Sequence, residues 1–540
     1  MSDLMHGISF KRLLTDTINE YKNNKTCYYV PVFEIKQNDY TVAGKPVSLP
    51  IGPAAGPHTQ LAQNIIAGFI AGARIFELKT VQVMEGEELG IIKPCIYVSD
   101  EAYNTEWSTE LTVTQAAEEY IKAYIMLHIL AKEFNLKPDF QFHISVGYDL
   151  AGIKSPKIDN FLNTMQDASN NDIWKESIKT VLDNINIFEN VNTEFLNNLS
   201  PKIPELVTLS TMHGCPPEEI EKIATYLINE KGYNTYIKCN PTLIGYEKVR
   251  KLLEDNGYTD ISFDTSHFEH DMKLDDALSM INRLMSVAQA KNLIFGVKLT
   301  NTFPVDIKNS ELTGETMYMS GKPLFLLAIH VAKVLSEATN GTLPISFSGG
   351  IDTHNINDVL SCGISPVTVA TLLLKAGGYK NLSKLAELVP EKIPDKVDIN
   401  KLSELCDKLT SDTYYQRKQT KQNIKSSTPP DACFKCKNCV DVCPNRANFP
   451  LKDIKACVHI DSYCNECGNC ACLCPFGYVP YRDKFTYFET LSDFENSNND
   501  GFLNKYKYRY KGKIFEDLNQ LPDELQQVVL RFMQGGEKDE

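Results

Sequence analysis

Long apolar runs are missing from this 540-residue sequence. The longest, "IIAGFIAGA" at 65–73, has nine residues, against the ~20 that a membrane-spanning helix needs. A basic excess is missing too. The formal net charge of −14 disfavours nucleic acid and anionic membrane surfaces as partners. No low-complexity block interrupts a composition of 43% hydrophobic and 23% charged residues. The opening stretch, "MSDLMHGISFKRLLTDTINEYK", carries charges where a signal peptide needs an apolar centre, so a cytoplasmic location is expected. No G-x-G-x-x-G opens a βαβ unit, so no NAD(P)H or FAD site is expected. At this length two or more domains are the default.

Cysteine is abundant and unevenly placed. Of sixteen, ten fall between 433 and 474, and six (27, 95, 215, 239, 362, 406) stand singly. Scattered cysteines without a secretory signal are expected to be reduced thiols. The dense ten are different. Residues 433–444 read "CFKCKNCVDVCP" and 464–475 read "CNECGNCACLCP", both C-x2-C-x2-C-x3-C-P. This is a [4Fe–4S] spacing in which the fourth cysteine of each run ligates the other cluster. Cluster one is expected on Cys433, Cys436, Cys439 and Cys474, and cluster two on Cys464, Cys467, Cys470 and Cys443. Four-cysteine zinc sites show two CxxC pairs instead. Cys457 and Cys472 are surplus to the pattern and read as packing residues. Two linked clusters conduct single electrons and need a redox partner elsewhere in the chain.

Residues 1 to about 400 alternate β-branched runs with helical stretches, the mark of a parallel α/β architecture. Eight strand candidates appear: 47–52, 74–80, 142–147, 206–210, 235–240, 294–301, 344–349 and 366–371. Eight strands trailed by helices predict a (β/α)8 TIM barrel, whose reactive groups belong at strand C-termini. Several candidates end in polar or glycine-rich sequence: "GPAAGP", "KT", "STMHGC", "KCN", "TNT" and "SGGID". Backbone N–H groups in the Gly-Gly turn of "SGGID" (348–352), with "VATLLLKAGG" (369–378) following, form an anion pocket where barrels commonly hold phosphate. The polar, proline-bearing stretch 419–432 reads as a linker.

In order, "GPAAGP", "ELKT", "YNTEWS", "IKCNP", "LTNT" and "SGGID" resemble the FMN-binding barrel of dihydroorotate dehydrogenases and the pyrimidine-reducing domain of dihydropyrimidine dehydrogenases. "STMHGCPPEEIEKIA" and the tandem-cysteine C-terminus resemble more closely a family described as the selenate-reductase iron–sulfur subunit, without the FAD/NAD(P)H module of its longer members. The resemblance covers 40–485. It implies FMN and two [4Fe–4S] clusters as cofactors. With the polar linker signal and a tyrosine- and asparagine-rich tail, four segments are expected: an FMN barrel over 1–415, a linker over 416–432, a ferredoxin-like domain over 433–485, and a tail over 486–540 that packs on a domain or a partner. Carried over by motif, Ala54, Ala55 and Gly56 would lie against the flavin ring. Lys79, Thr80 and Lys238 would contact its polar edge and ribityl chain, where a positive charge favours the reduced anion. Ser348, Gly349, Gly350, Ala370 and Thr371 would hold the phosphate. Asn104, Glu106, Asn301 and Thr302 would hydrogen-bond a planar, amide-rich ring, with Thr208 and Ser210 beside it.

The relatives place an acid Cys or Ser after the fourth strand in "N-x-S-C-P" or "N-x-S-S-P", and "T-L-S-T-M-H-G-C-P-P" departs from that pattern. Strict counting puts Thr211 in the slot and Thr208 in place of a substrate-binding asparagine. Cys215 lies four residues on, before Pro216-Pro217-Glu218, with proline favoured at the first helical position. A helix N-terminus makes a thiol a better proton donor. Cys215 is the preferred acid, with Thr211 and His213 as alternatives. The expected activity is reduction of an activated C=C in a purine- or pyrimidine-type heterocycle such as urate. Electrons would come from a separate FAD/NAD(P)H subunit or a ferredoxin, and the chain could form a homo-oligomer. The rival expectations are an electron-transfer subunit of a selenate-reductase or molybdenum-hydroxylase complex with a degenerate barrel, and an assembly factor for such a hydroxylase.

Overall fold

The computed structural model describes residues 5–36, 39–106, 108–210, 214–418, 433, 436–504 and 506–535. Thr211, His213 and linker positions 419–432 lie outside the described residues. The eight parallel strands are β1 (Ile51–Pro53), β2 (Ile75–Glu77), β3 (Gln141–Val146), β4 (Pro204–Leu209), β5 (Thr235–Cys239), β6 (Phe295–Leu299), β7 (Ile345–Phe347) and β8 (Val367–Val369). Their order in the sheet is 1-8-7-6-5-4-3-2. The Arg74 N–H donates to Ile51 O at 3.0 Å, joining β1 to β2 and closing the barrel. Gly52 sits at that seam because a Cβ there would lie 1.5 Å from Ile75 O. All six residues of β3 are buried, as expected of parallel strands covered on both faces.

Helices follow the strands and cover the outside. Ala62–Ile70, after β1, is buried along its whole length. Val113–Phe134, after β2, starts at Thr112, whose side chain accepts from the Gln115 N–H while Gln115 caps the Thr112 N–H in return. Pro217–Asn229, after β4, begins with Pro216 as its N-cap residue. The barrel interior is polar near its middle. Lys298 on β6, only 1% exposed, forms an ion pair with Glu77 on β2. It also donates to Ser346 Oγ (3.0 Å) on β7 and Thr368 Oγ1 (2.7 Å) on β8. Lys238 on β5 is the register partner of Lys298, so both side chains point inward.

Two excursions decorate the C-terminal mouth. The connection after β2 carries strands Ile96–Val98 and Ala102–Asn104, and the connection after β6 carries Phe303–Asp306 and Thr316–Ser320. They form one antiparallel four-stranded sheet in which Asn104 pairs with Tyr318.

The cysteine-rich region and the tail are structurally continuous. Asn448–Leu451 and Ala456–Ile460 share a six-stranded sheet with Thr486–Phe488, Gly501–Leu503, Lys507–Tyr510 and Lys513–Phe515. The expected boundary at 485/486 therefore falls between two paired strands of one sheet. Phe532, in the helix Asp523–Gly535, packs its ring 5.0 Å from Phe449 and 4.9 Å from Tyr487. The N-terminal helix Phe10–Asn24 crosses the junction. Arg12 is ion-paired with Glu489, and Tyr21 stacks on Phe134 of the barrel at 3.7 Å. Among the described residues no helix is long and apolar enough to cross a membrane.

Candidate active site and cysteine cavities

The eight motif cysteines line two cavities. Cys433, Cys436, Cys439 and Cys474 face an outer cavity of about 430 Å3 of empty space, with Phe476, Tyr478 and Lys484. Cys443, Cys464, Cys467 and Cys470 face an inner one of about 300 Å3, with Asn445, His459 and Tyr481. Each cavity thus takes three cysteines from one motif and the fourth from the other. All are free thiols. Backbone N–H groups point at the sulfurs: Ala447 to Cys443 (3.3 Å), Glu466 to Cys464 (3.3 Å) and Tyr478 to Cys474 (3.4 Å). Such donors stabilise anionic sulfur. Burial pushes the Cys464, Cys467 and Cys470 thiols well up, so as bare thiols they stay neutral. Four convergent sulfurs with N–H donors and no disulfide are compatible with iron–sulfur cofactors. Cys457 is buried on its strand, and Cys472 lies 3.7 Å from Ile96 O.

The two cavities differ in surroundings. Cys436 is exposed, so the outer cavity meets solvent. The inner cavity abuts the barrel. Cys467 O accepts from the N–H groups of Cys95 (3.1 Å) and Ile96 (2.8 Å). Asn469 Nδ2 donates to Leu374 O at 3.0 Å, beyond β8. Asn445 bridges Asn64 and Asn465 at 3.1 Å each, and Asn465 Nδ2 donates to Glu110 Oε1 at 2.7 Å. None of Asn64, Asn445, Asn465 or Glu110 carries a motif that sequence reading could have found; Glu110 shows only as a second glutamate four residues beyond Glu106.

At the mouth, the residues picked from sequence fall into three groups. In the first, Lys79 at the end of β2 is ion-paired with Glu106. Cys95 Sγ lies 3.8 Å from Glu106 Oε2. The resemblance assigned Lys79 to a cofactor and Glu106 to a substrate; their pairing makes those two positions neighbours. Burial pushes Lys79 down to about 8 against the opposing pull of Glu110 and Cys95. Lys238 is pushed to about 8 in the same way, with Glu77 opposing. Thr80 Oγ1 is 2.9 Å from Ser145 Oγ, and Thr208 is the register partner of Ser145 on the neighbouring strand.

The second group surrounds β7 and β8. Gly350 has φ +78°, and a Cβ there would lie 2.3 Å from Gly321 O; one at Gly349 would lie 2.2 Å from the Ala328 Cβ. Only glycine fits at either position; the Ser348 N–H donates to Leu299 O at 2.6 Å and the Gly350 N–H to Ser348 O at 2.8 Å, which folds the turn tightly against the barrel. Thr371 Oγ1 is 2.8 Å from Ser320 Oγ. Gly56 has Ala370 as a near neighbour, 3.7 Å from its virtual Cβ, and Ala54 N–H donates to Val369 O at 2.9 Å, which brings the "AAG" turn beside the β8 end. Ala55 is half-buried. Gly321 has φ +84° and belongs to this cradle; it escaped sequence reading because "SGKP" carries no motif.

The third group lies after β4, β5 and β6. Ser210 N–H donates to Val146 O at 2.9 Å. Cys215 is half-buried, and its neighbour Gly214 donates its N–H to Asp271 Oδ1 at 2.6 Å. Asn301 Nδ2 donates to Asn240 Oδ1 at 2.7 Å. Thr302 and Asn104 are half-buried at the mouth. Asn240 ends the polar "KCN" of β5 without having been given a role, and Asp271 carries no signal in the sequence.

Residues 28–418 match the family described as the oxidoreductase YgfK N-terminal TIM-barrel domain. Two curated relatives, each titled "Putative oxidoreductase YgfK", come from Escherichia coli K12 and O157:H7. Each is 42% identical to this chain over 474 residues, which is 83% of this chain and 46% of the relative. The chain spans about half the length of these relatives. Neither description names selenate. On the barrel match and the identity together, the chain belongs to the YgfK-type oxidoreductase family, with a TIM-barrel domain at its core.

Proposed function

We propose that this oxidoreductase is an iron–sulfur flavoprotein that binds FMN at the barrel mouth and two [4Fe–4S] clusters in the cysteine cavities, and that it reduces an activated C=C of a purine- or pyrimidine-type heterocycle such as urate. The observation that carries this reading is the seam between the inner cavity and the mouth. There Cys467 O meets Cys95 and Ile96, and Asn465 meets Glu110 beside the Lys79–Glu106 pair. When bound, FMN would supply hydride exchange and the clusters single-electron conduction. The remaining chemistry belongs to the chain. Ser348, Gly349, Gly350, Ala370 and Thr371 would hold the phosphate at the β7 and β8 ends, and Lys79 and Lys238 offer positive charge to the polar edge of the ring. Asn104, Asn301 and Thr302 offer amide and hydroxyl partners to a flat, amide-bearing substrate, while Glu106 adjoins both positions. Cys215 Sγ holds the proton delivered to one carbon of the double bond as a hydride reaches the other, a general-acid contribution of ~10²–10⁴ in rate. Two electrons enter per turnover, from a ferredoxin or from a separate FAD/NAD(P)H subunit.

The experiment is anaerobic. The purified chain should release a yellow compound of FMN's mass and contain about eight irons. The reduced protein should then be reoxidised by at least one member of a panel that includes urate and uracil. Absence of flavin, or of reoxidation by any heterocycle, discards the reading. The solvent-facing Cys436 favours a second reading, an electron-transfer subunit of a selenate-reductase or molybdenum-hydroxylase complex. Bound cofactors with no heterocycle turnover would select it.

A further inference from the structure

Asp271 lies at the centre of a hydrogen-bond chain that joins three consecutive strand ends. Asp271 is 4% exposed, and its own N–H is anchored to His267 O at 3.3 Å, at the end of the short helix Ser266–His270. Oδ1 accepts from the Gly214 N–H at 2.6 Å, on the segment leaving β4. Oδ2 accepts from Thr242 Oγ1 at 2.7 Å and Asn240 Nδ2 at 3.0 Å, on the segment leaving β5. Asn240 Oδ1 in turn accepts from Asn301 Nδ2 at 2.7 Å, on the segment leaving β6. Gly214 itself has φ +84°, a conformation that favours glycine. The carboxylate therefore fixes a left-handed turn immediately before Cys215.

We infer that Asp271 is the positioning residue of the Cys215 segment, and that through Asn240 it couples this segment to Asn301. The inference rests on the function proposed above and deepens it: the group that places the proton donor and the amide that reads the substrate are held by one buried anion. A carboxylate is suited to this, because it accepts from backbone and side-chain donors on two oxygens at once. Removing it leaves the Gly214 N–H, the Thr242 hydroxyl and the Asn240 amide without their acceptor. The turn at Gly214, immediately before Cys215, then loses the bond from its N–H to Asp271 Oδ1. Displacing an acid by about 1 Å costs ~10²-fold in rate.

The test uses the full chain with its cofactors and follows iodoacetamide alkylation of Cys215 by peptide mass spectrometry, beside urate-driven reoxidation of the reduced protein. Asp271→Ala should speed alkylation of Cys215 about tenfold, corresponding to easier local opening, while the buried Cys239 and Cys362 stay at the wild-type rate. Its kcat should fall ~10²-fold. Asn240→Ala, which spares the Gly214 bond, should leave alkylation unchanged and raise KM. If Asp271→Ala does not fold, Asp271→Asn decides: it retains one acceptor oxygen and should give an intermediate rise confined to Cys215. Unchanged Cys215 alkylation, or an equal rise at all three cysteines, overturns the inference. Cys215→Ala keeps the two readings apart. If that variant reoxidises at the wild-type rate, the proposed proton donor is wrong, whatever the alkylation shows about Asp271.

Discussion

Cys467 offers its backbone carbonyl to the Cys95 N–H at 3.1 Å, so a cysteine of the inner cavity is hydrogen-bonded directly to the hairpin that lines the barrel mouth. The next residue makes the closeness compulsory. Gly468 has φ +90°, and a Cβ there would lie 2.5 Å from the Pro94 Cβ. Gly468→Val therefore meets both a left-handed penalty of ~1–2 kcal/mol and a collision at the seam. The variant should lose the iron of the inner cavity, falling from about eight to about four per chain, and melt at a lower temperature. Full iron with a wild-type melting curve would show that the seam is not needed to form the site.

Crossed ligation gives a sharper test. Cys443 belongs to the first motif but lines the cavity of Cys464, Cys467 and Cys470, and Cys474 belongs to the second but lines the cavity of Cys433, Cys436 and Cys439. Cys443→Ser and Cys464→Ser should leave the same residual low-temperature EPR spectrum. Cys433→Ser and Cys474→Ser should share a different one. If Cys443→Ser instead matches Cys433→Ser, the motifs bind their clusters separately.

Much of this architecture is legible in sequence because two strong physical signals are local. Buried parallel strands favour apolar, β-branched runs, and all eight barrel strands overlap an expected run, with single inward polar residues such as Glu77, Lys238 and Lys298 interrupting it. The first is displaced, expected at 47–52 and found at Ile51–Pro53, because Lys45–Val47 is used in an antiparallel ladder with Tyr40–Val42. The cysteine spacing is equally local. What escaped depends on distant pairing. Asp271 receives Gly214 from 57 residues away, and "HFEHDM" around it reads only as the end of a helix. The tail strands Gly501–Leu503 to Lys513–Phe515 are short, and their place is set by pairing with Thr486–Phe488 rather than by a pattern of their own.

The buried Lys298–Glu77 pair inside the barrel predicts an asymmetric mutational response. Lys298→Met takes the opposing charge from a buried carboxylate to which Ser346 Oγ (3.3 Å) and Thr368 Oγ1 (3.1 Å) also donate. Breaking one side of a buried pair costs ~3–5 kcal/mol, so the urea midpoint should drop sharply. The double variant Lys298→Met with Glu77→Leu removes the stranded charge and should recover most of that loss. A double variant no more stable than the single one would mean that the charges serve some purpose other than balancing each other.

The proposed FMN site predicts a pH dependence of cofactor capture governed by Lys79 and Lys238. Burial brings both to about 8 in the free protein, so each is protonated below that pH and neutral above it. A bound flavin phosphate and polar ring edge favour the protonated forms, which raises both values in the complex. Binding above pH 8 must then take up protons, and affinity for FMN should fall as pH rises, by up to ~10-fold per pH unit for each lysine. Below pH 7 the affinity should be flat with respect to these two groups. Apoprotein titrated with FMN at pH 7, 8 and 9, with fluorescence quenching as the readout, measures the slope. Lys238→Met should reduce that slope by about one unit. An affinity that is constant or rises across this range would mean that neither ammonium faces the cofactor.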